Sequence, residues 1–158
     1  EAAVAVLDSV LERRLMRLEE LTELLSRLPG RRRLLDLIDQ RAQSGTETFS
    51  RLRLRSRRIR LRPQVTIGDI GRVDLLVGER LVIEVDSRAH HTSPQNYARD
   101  RARDRRLVSL GYIVVRLTYE DVMYDWDTVV ADIIAIIRRR RHRRLLPGSH
   151  PRSRDRRT

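Results

Sequence analysis

The apolar positions keep helical spacing at the start of the chain, alternate with polar ones in its middle, and return to helical spacing at the end. Over residues 2–43, Val4, Leu7 and Leu11, then Leu18, Leu21 and Leu25, recur three to four apart. Leu28-Pro29-Gly30 interrupts the pattern, and Leu34, Leu35 and Ile38 resume it. Three short helices are predicted, the last ending near Gln43. Ser44-Gly45-Thr46-Glu47 reads as a break and a helix start, with Ser44 or Thr46 as N-cap. Phe49 and Leu52 fit a helix from Thr46 to about Arg57. A turn then leads to a strand near Gln64 to Ile67, and Gly68 and Gly71 bracket the next turn.

The alternation is clearest from Val73 to Val85. Val73, Leu75 and Val77 share one strand face, as do Leu81, Ile83 and Val85, with Gly78-Glu79-Arg80 as the connection. If both apolar rows meet one core, Val77 pairs with Leu81 and Val73 with Val85, because a slip of one residue would invert every side chain. Asp74 then stands opposite Glu84, with Asp86 one step beyond. Three converging carboxylates repel unless a cation or a shared proton intervenes, and a hard cation on oxygen ligands is the economical explanation. An ordinary acidic solvent face gives the same spacing.

Beyond His91, Thr92-Ser93-Pro94 is a helix entry, and a helix is predicted from Gln95 to Leu110, with Asp100 and Asp104 pairing to arginines three or four residues on. Tyr112–Leu117 reads as a buried strand, and Thr118 caps a turn through Asp121. A last helix from about Trp126 to Arg141 buries Trp126, Val129, Ile133 and Ile137 or their neighbours. The order is helix, three-stranded meander, helix, strand, helix behind a helical lead-in: an α/β chain. The expected division is a lead-in over 1–43, a main domain over 44–142 and a basic disordered tail over 143–158.

Composition changes the picture in two places. The net charge is +12, but Arg138–Thr158 carries ten arginines and one acid, or +9, which leaves +3 for the rest. A tail of that kind attracts phosphate without regard to sequence. The run Arg51–Arg62 holds seven further arginines, for which a solvated face is the plainer reading. All 34 basic residues are arginine. Cysteine is absent, which excludes disulfides and thiolate metal sites and is compatible with a reducing cytoplasm. No run is long and apolar enough for a membrane span, and no signal peptide opens the chain.

The motifs VDLL (Val73–Leu76), IEVDSRAHH (Ile83–His91) and ARDRARDRRLVSLGYIVVRLTYEDV (Ala98–Val122), with a Glu on the preceding helix, resemble the PD-(D/E)XK nuclease superfamily. They look closest to the small domain related to very-short-patch mismatch repair endonucleases. The lead-in is similar to what precedes such domains in bacterial proteins with a winged-helix or abortive-infection-type antitoxin module, which implies a longer parent.

The resemblance implies a restriction-endonuclease-like core that hydrolyses DNA phosphodiesters with Mg²⁺ or Mn²⁺. Asp74 matches the metal aspartate, Glu84 the second acid, the Val85 carbonyl a further ligand, and Glu47 the acid of the first helix. Asp86 stands where the motif carries Lys, as ligand or water positioner, and no Lys exists in the chain to replace it. His90 and His91 are the candidates for proton transfer, as the mismatch-repair relatives also lack the Lys. Arg99 and Arg103 would contact phosphate. The expected partner is DNA, a homodimer is compatible, and neither a membrane nor a small-molecule cofactor is expected. The rival reading is a catalytically lapsed nuclease fold serving as a DNA-binding regulatory module.

Overall fold

The structure is a computed structural model that describes residues 1–86, 94–139 and 142–143, with the backbone alone over 94–97. The lead-in forms α1 (Ala2–Glu12), α2 (Leu18–Leu25) and α3 (Arg31–Leu37). There follow α4 (Gly45–Ser56), β1 (Leu61–Ile67), β2 (Gly71–Val77), β3 (Leu81–Val85), α5 (Pro94–Ser109), β4 (Ile113–Leu117), α6 (Tyr119–Met123) and α7 (Trp126–Arg138). The strands make one mixed sheet in the order β1-β2-β3-β4. β1, β2 and β3 are an antiparallel meander, and β4 lies parallel to β3 after the α5 crossover.

The sheet is covered on both sides. Leu54 of α4, Val122 of α6, and Val130 and Ile133 of α7 pack on Leu75, Val77, Leu81, Ile83, Val85 and Leu117. Leu107 of α5 packs on the other face with Ile67, Val73, Leu76, Val82 and Tyr112. All five residues of β3 are buried, as expected of a strand covered on both faces. A third, smaller cluster joins Leu11, Leu21 and Leu25 of the lead-in.

The third helix stops at Leu37 rather than near Gln43. The Asp39 N–H is taken at 2.8 Å by the Asp8 carboxylate, and Asp39 is clamped by its own pair with Arg41. β1 starts at Leu61, earlier than the alternation suggested, because Leu61 pairs with Val77. The expected turn at Thr118 is instead the N-terminus of α6, closed by reciprocal bonds between Thr118 and Asp121. Asp104 turns from its own helix to Arg116 of β4. On α7 the buried positions are Val130 and Ile133, with Trp126, Val129 and Ile137 packed at the margin; the helix ends at Arg138, and 140–141 lie outside the described residues, as does the tail from Pro147.

The hairpin register is Leu75 opposite Ile83, Leu76 opposite Val82 and Val77 opposite Leu81. The ladder stops there: Val73–Val85 and Asp74–Glu84 do not form rungs. Nor does Val73 share a face with Leu75 and Val77. It packs under α5 with Leu76 and Val82, while Leu75 and Val77 face α4 and α7. The cause sits at one level of the β1·β2 ladder. Gln64 has φ +54, and the pairing skips from Pro63–Leu75 to Val65–Val73. Both strands swivel at Gln64 and Asp74, so side chains beyond that level exchange faces. Left-handed backbone at a residue other than glycine is uncommon and concentrates at functional sites.

α1 is tied to α4 by a buried polar knot. The Asp8 carboxylate accepts from Arg51 Nη2 at 2.7 Å and from Thr48 Oγ1 at 2.7 Å, and Arg51 Nη1 donates to the Leu37 carbonyl at 2.7 Å. Asp8 and Arg51 are each 1 % exposed.

Candidate active site

The swivel places Asp74 where β2 and β3 part. Its Oδ2 accepts the Val85 N–H at 2.8 Å, a donor that the shortened ladder would otherwise strand, and its Oδ1 is 3.5 Å from Gln64 Nε2. Glu47 arrives from the first turn of α4, in a Ser-x-x-Glu arrangement that explains its presence locally. The Glu47 N–H donates to Ser44 Oγ at 3.1 Å, and Glu47 Oε2 accepts the Gln43 N–H at 3.0 Å. The same Oε2 accepts from Gln64 Nε2 at 2.7 Å. Carboxylates only accept, so the Gln64 amide must turn its NH₂ toward them, and its Oε1 is left buried without a partner among the described residues.

Glu84 is 7 % exposed. Its Oε1 lies 3.0 Å from Arg103 Nη1 of α5, an ion pair without a well-aligned hydrogen bond, so this oxygen too is unsatisfied among the described residues. Arg103 also donates to the Arg72 carbonyl. Burial, followed by repulsion from Asp74, pushes the carboxyls of Glu47 and Glu84 up to about 7; for Glu84, Arg103 works the other way. Burial also raises Asp74, against the Val85 N–H, Arg103 and Gln64. Glu47 on α4 is thus coupled to Asp74, as Glu84 is from β3.

Asp86 stands at the margin of that cluster, where its charge adds to the rise of Asp74. It is exposed, its N–H continues the parallel ladder to the Leu117 carbonyl at 2.8 Å, and its Oδ1 accepts from Arg116 Nη1 at 3.0 Å. Arg116 stands beside Glu84 in register and grips Asp104 with two parallel bonds, Nε to Oδ2 at 2.9 Å and Nη2 to Oδ1 at 2.8 Å. That grip holds its guanidinium charged. Val85 packs its side chain into the main core. Arg99 is exposed on α5. His90 and His91 lie outside the described residues.

Sequence reasoning missed Gln64 and Arg116. A polar residue directly after Pro63 in a strand signals an interrupted ladder, and an arginine within an apolar strand signals a buried acidic partner; both signals were legible.

The donors gathered here are oxygens, and Gln64 Oε1 and Glu84 Oε1 are buried without a hydrogen bond among the described residues, which suits a hard divalent cation in kind. Among the described residues no three His, Asp or Glu side chains come close enough to close a metal site. No described helix is long and apolar enough to cross a membrane.

A mixed four-stranded sheet with this helix order, and acids gathered where its central strands part, defines a restriction-endonuclease-like domain. Residues 49–137, more than half of the chain, match the sequence profile of the REase_MTES_1575 family, a restriction-endonuclease-like group. The chain belongs to that family and carries a nuclease-type domain. A comparison with curated proteins found no match.

Proposed function

We propose that the chain is a metal-dependent endonuclease of the very-short-patch-repair type, acting on DNA. The observation that carries this reading is the convergence of Asp74, Glu84 and Glu47, from three different elements, on the level where β2 and β3 separate. Two buried acids and the half-buried Asp74, whose charge raises the proton affinity of both, destabilise the fold, and such costs concentrate at functional sites. Asp74 and Glu84 would hold a Mg²⁺ or Mn²⁺ ion with the Val85 carbonyl; such an ion polarises a phosphoryl oxygen and acidifies a bound water. Arg103 would leave Glu84 for the phosphate as the acid turns to the ion, and Arg99 would lie along the same strand of substrate. Gln64 and Glu47 orient Asp74 from behind. Asp86, steered by Arg116, would position the attacking water, and His90 or His91 would carry the proton to or from it.

One observation favours a second reading, in which the fold binds DNA without cutting it: the residue in the motif's Lys position, Asp86, is paired outward to Arg116. The test is nicking of supercoiled DNA with Mg²⁺ or Mn²⁺ by the wild type, Asp74→Asn and Glu84→Gln. Cleavage lost in both variants, with folding retained, supports the nuclease. Binding without cleavage in the wild type assigns the regulatory role, and cleavage that survives both substitutions overturns the site.

A further inference from the structure

The arginine run that closes α4 and opens β1 is exposed and concentrated in space. Arg55, Arg57, Arg58, Arg60 and Arg62 are all exposed. Arg55, Arg58 and Arg60 line a shallow pocket of about 420 Å³ together with Ile59 and Leu61. The chain turns there through Arg58, held at φ +60 by a capping turn in which the Ile59 N–H reaches back to the Leu54 carbonyl at 3.1 Å. A guanidinium-bearing residue in left-handed backbone costs free energy that an asparagine or glycine would avoid.

Two features separate this group from an ordinary solvated face. Of the five, Arg57 alone pairs with a carboxylate, Asp127 at 3.3 Å, among the described residues; Arg62 Nη2 reaches the Gly78 carbonyl at 3.3 Å. The other three line the pocket with no ion-paired carboxylate among the described residues, although Arg55 also borders a second cleft with Asp36 and Asp39; its proton affinity is depressed, first by burial and then by neighbouring Arg51, with Asp39 working the other way. The basic end also gathers a second segment. The His142 carbonyl accepts from the N–H groups of Glu79 (2.8 Å) and Arg80 (3.1 Å), which brings His142 and the adjoining Arg143 to the β2–β3 turn. That turn is where Arg62 is anchored.

From this geometry we infer that the Arg55–Arg58–Arg60 pocket is a docking site for nucleic-acid backbone phosphate, separate from the carboxylate cluster. The inference rests on the nuclease reading for its choice of polyanion, and it adds where that polyanion is gripped. Eleven residues of α4 and its capping turn separate Glu47 from Arg58, on the order of 16 Å at helical rise. That is about half a turn of duplex. Arginine suits the task, because its planar fork meets two phosphate oxygens at once.

The test uses the full chain carrying Asp74→Asn, so that cleavage cannot disturb the equilibrium. Binding to a 20-base-pair duplex is measured across a salt series for this protein and for the same protein with Arg55→Gln, Arg58→Gln and Arg60→Gln. A second triple set, Arg31→Gln, Arg32→Gln and Arg33→Gln on the exposed start of α3, removes the same charge elsewhere. The expected result is a log–log salt slope shallower by about two to three and affinity at least roughly tenfold weaker for the pocket set alone. Substituting lysines at the three pocket positions should retain most of the slope, because the attraction is to charge first.

Equal losses from both triple sets would reduce the effect to net charge and overturn the proposal. An unchanged slope for the pocket set would overturn it as well, as would a loss of binding to an acidic peptide with none to DNA. Cleavage by the wild type is read separately. A cutting enzyme with an unchanged slope refutes the pocket alone, and a non-cutting protein with the expected slope refutes the nuclease alone.

Discussion

Replacing Glu84 with Gln should stabilise the protein, and more so as pH rises. The folded chain carries the Glu84 carboxyl at about 7 instead of its ordinary 4.5, because it is buried and faces Asp74. Between those two values the folded state keeps a proton that the unfolded chain has released, so stability falls as pH rises through the window. Below about 4.5 the acid is neutral in both states and contributes no penalty. By pH 8 the full difference is present, about 3 kcal/mol for one such group. The variant also removes the partner of Arg103, which is partly exposed and can take water in exchange. The net gain at pH 8 is therefore roughly 1–3 kcal/mol.

Urea titrations of both proteins at pH 5, 6, 7 and 8 measure this directly. Groups common to both proteins, such as His142 with its burial-depressed imidazole, cancel in the difference. The stability difference, Glu84→Gln minus wild type, should grow steadily from pH 5 to pH 8. A difference that stays flat, or shrinks, would mean that Glu84 is not held against its charge, and the argument for a strained acidic cluster would fall with it.

Three further outcomes are expected. Asp74→Asn should abolish metal-dependent cleavage while leaving the far-ultraviolet circular dichroism spectrum and the melting cooperativity unchanged, since Asn can still accept the Val85 N–H; retained turnover in a plasmid assay would contradict this. Asp8→Ala leaves the 1 %-exposed Arg51 without its carboxylate and should cost about 3–5 kcal/mol in denaturant titration. Gly78→Ala builds a Cβ 2.5 Å from the His142 carbonyl oxygen at φ +63, so it should lower the melting temperature by several degrees, with a loss of roughly 1–3 kcal/mol.

Much of the fold was legible because the sequence alternates where the sheet is and keeps helical spacing where the helices are. The hairpin register followed from matching apolar rows, and the rungs from Leu75 to Val77 are as expected. The face of Val73 was not legible, because strict alternation assumes an unbroken strand, and the swivel at Gln64 breaks it. The end of α3 was missed for a related reason. Ile38 continues the apolar period, but its backbone is already extended, since a carboxylate thirty-one residues earlier captures the next N–H. Asp74 and Glu84 could be singled out from spacing. The outward pairing of Asp86 could not, because Arg116 reaches it from a strand thirty residues on.

The knot between Asp8 and Arg51 bears on where this domain ends as a physical object. The family's sequence likeness begins at Phe49, yet the helix on which Phe49 lies has a guanidinium two residues on that finds its counter-charge on α1 and a further acceptor at the end of α3. A fragment cut at the edge of the likeness would leave the buried Arg51 cation without its counter-charge and would lose the first turn of α4, Glu47 with it. The smallest heritable unit and the smallest foldable unit are therefore different lengths of chain. Any recombination that moved the nuclease core between proteins would have to carry the first helix along, or supply another acid in its place.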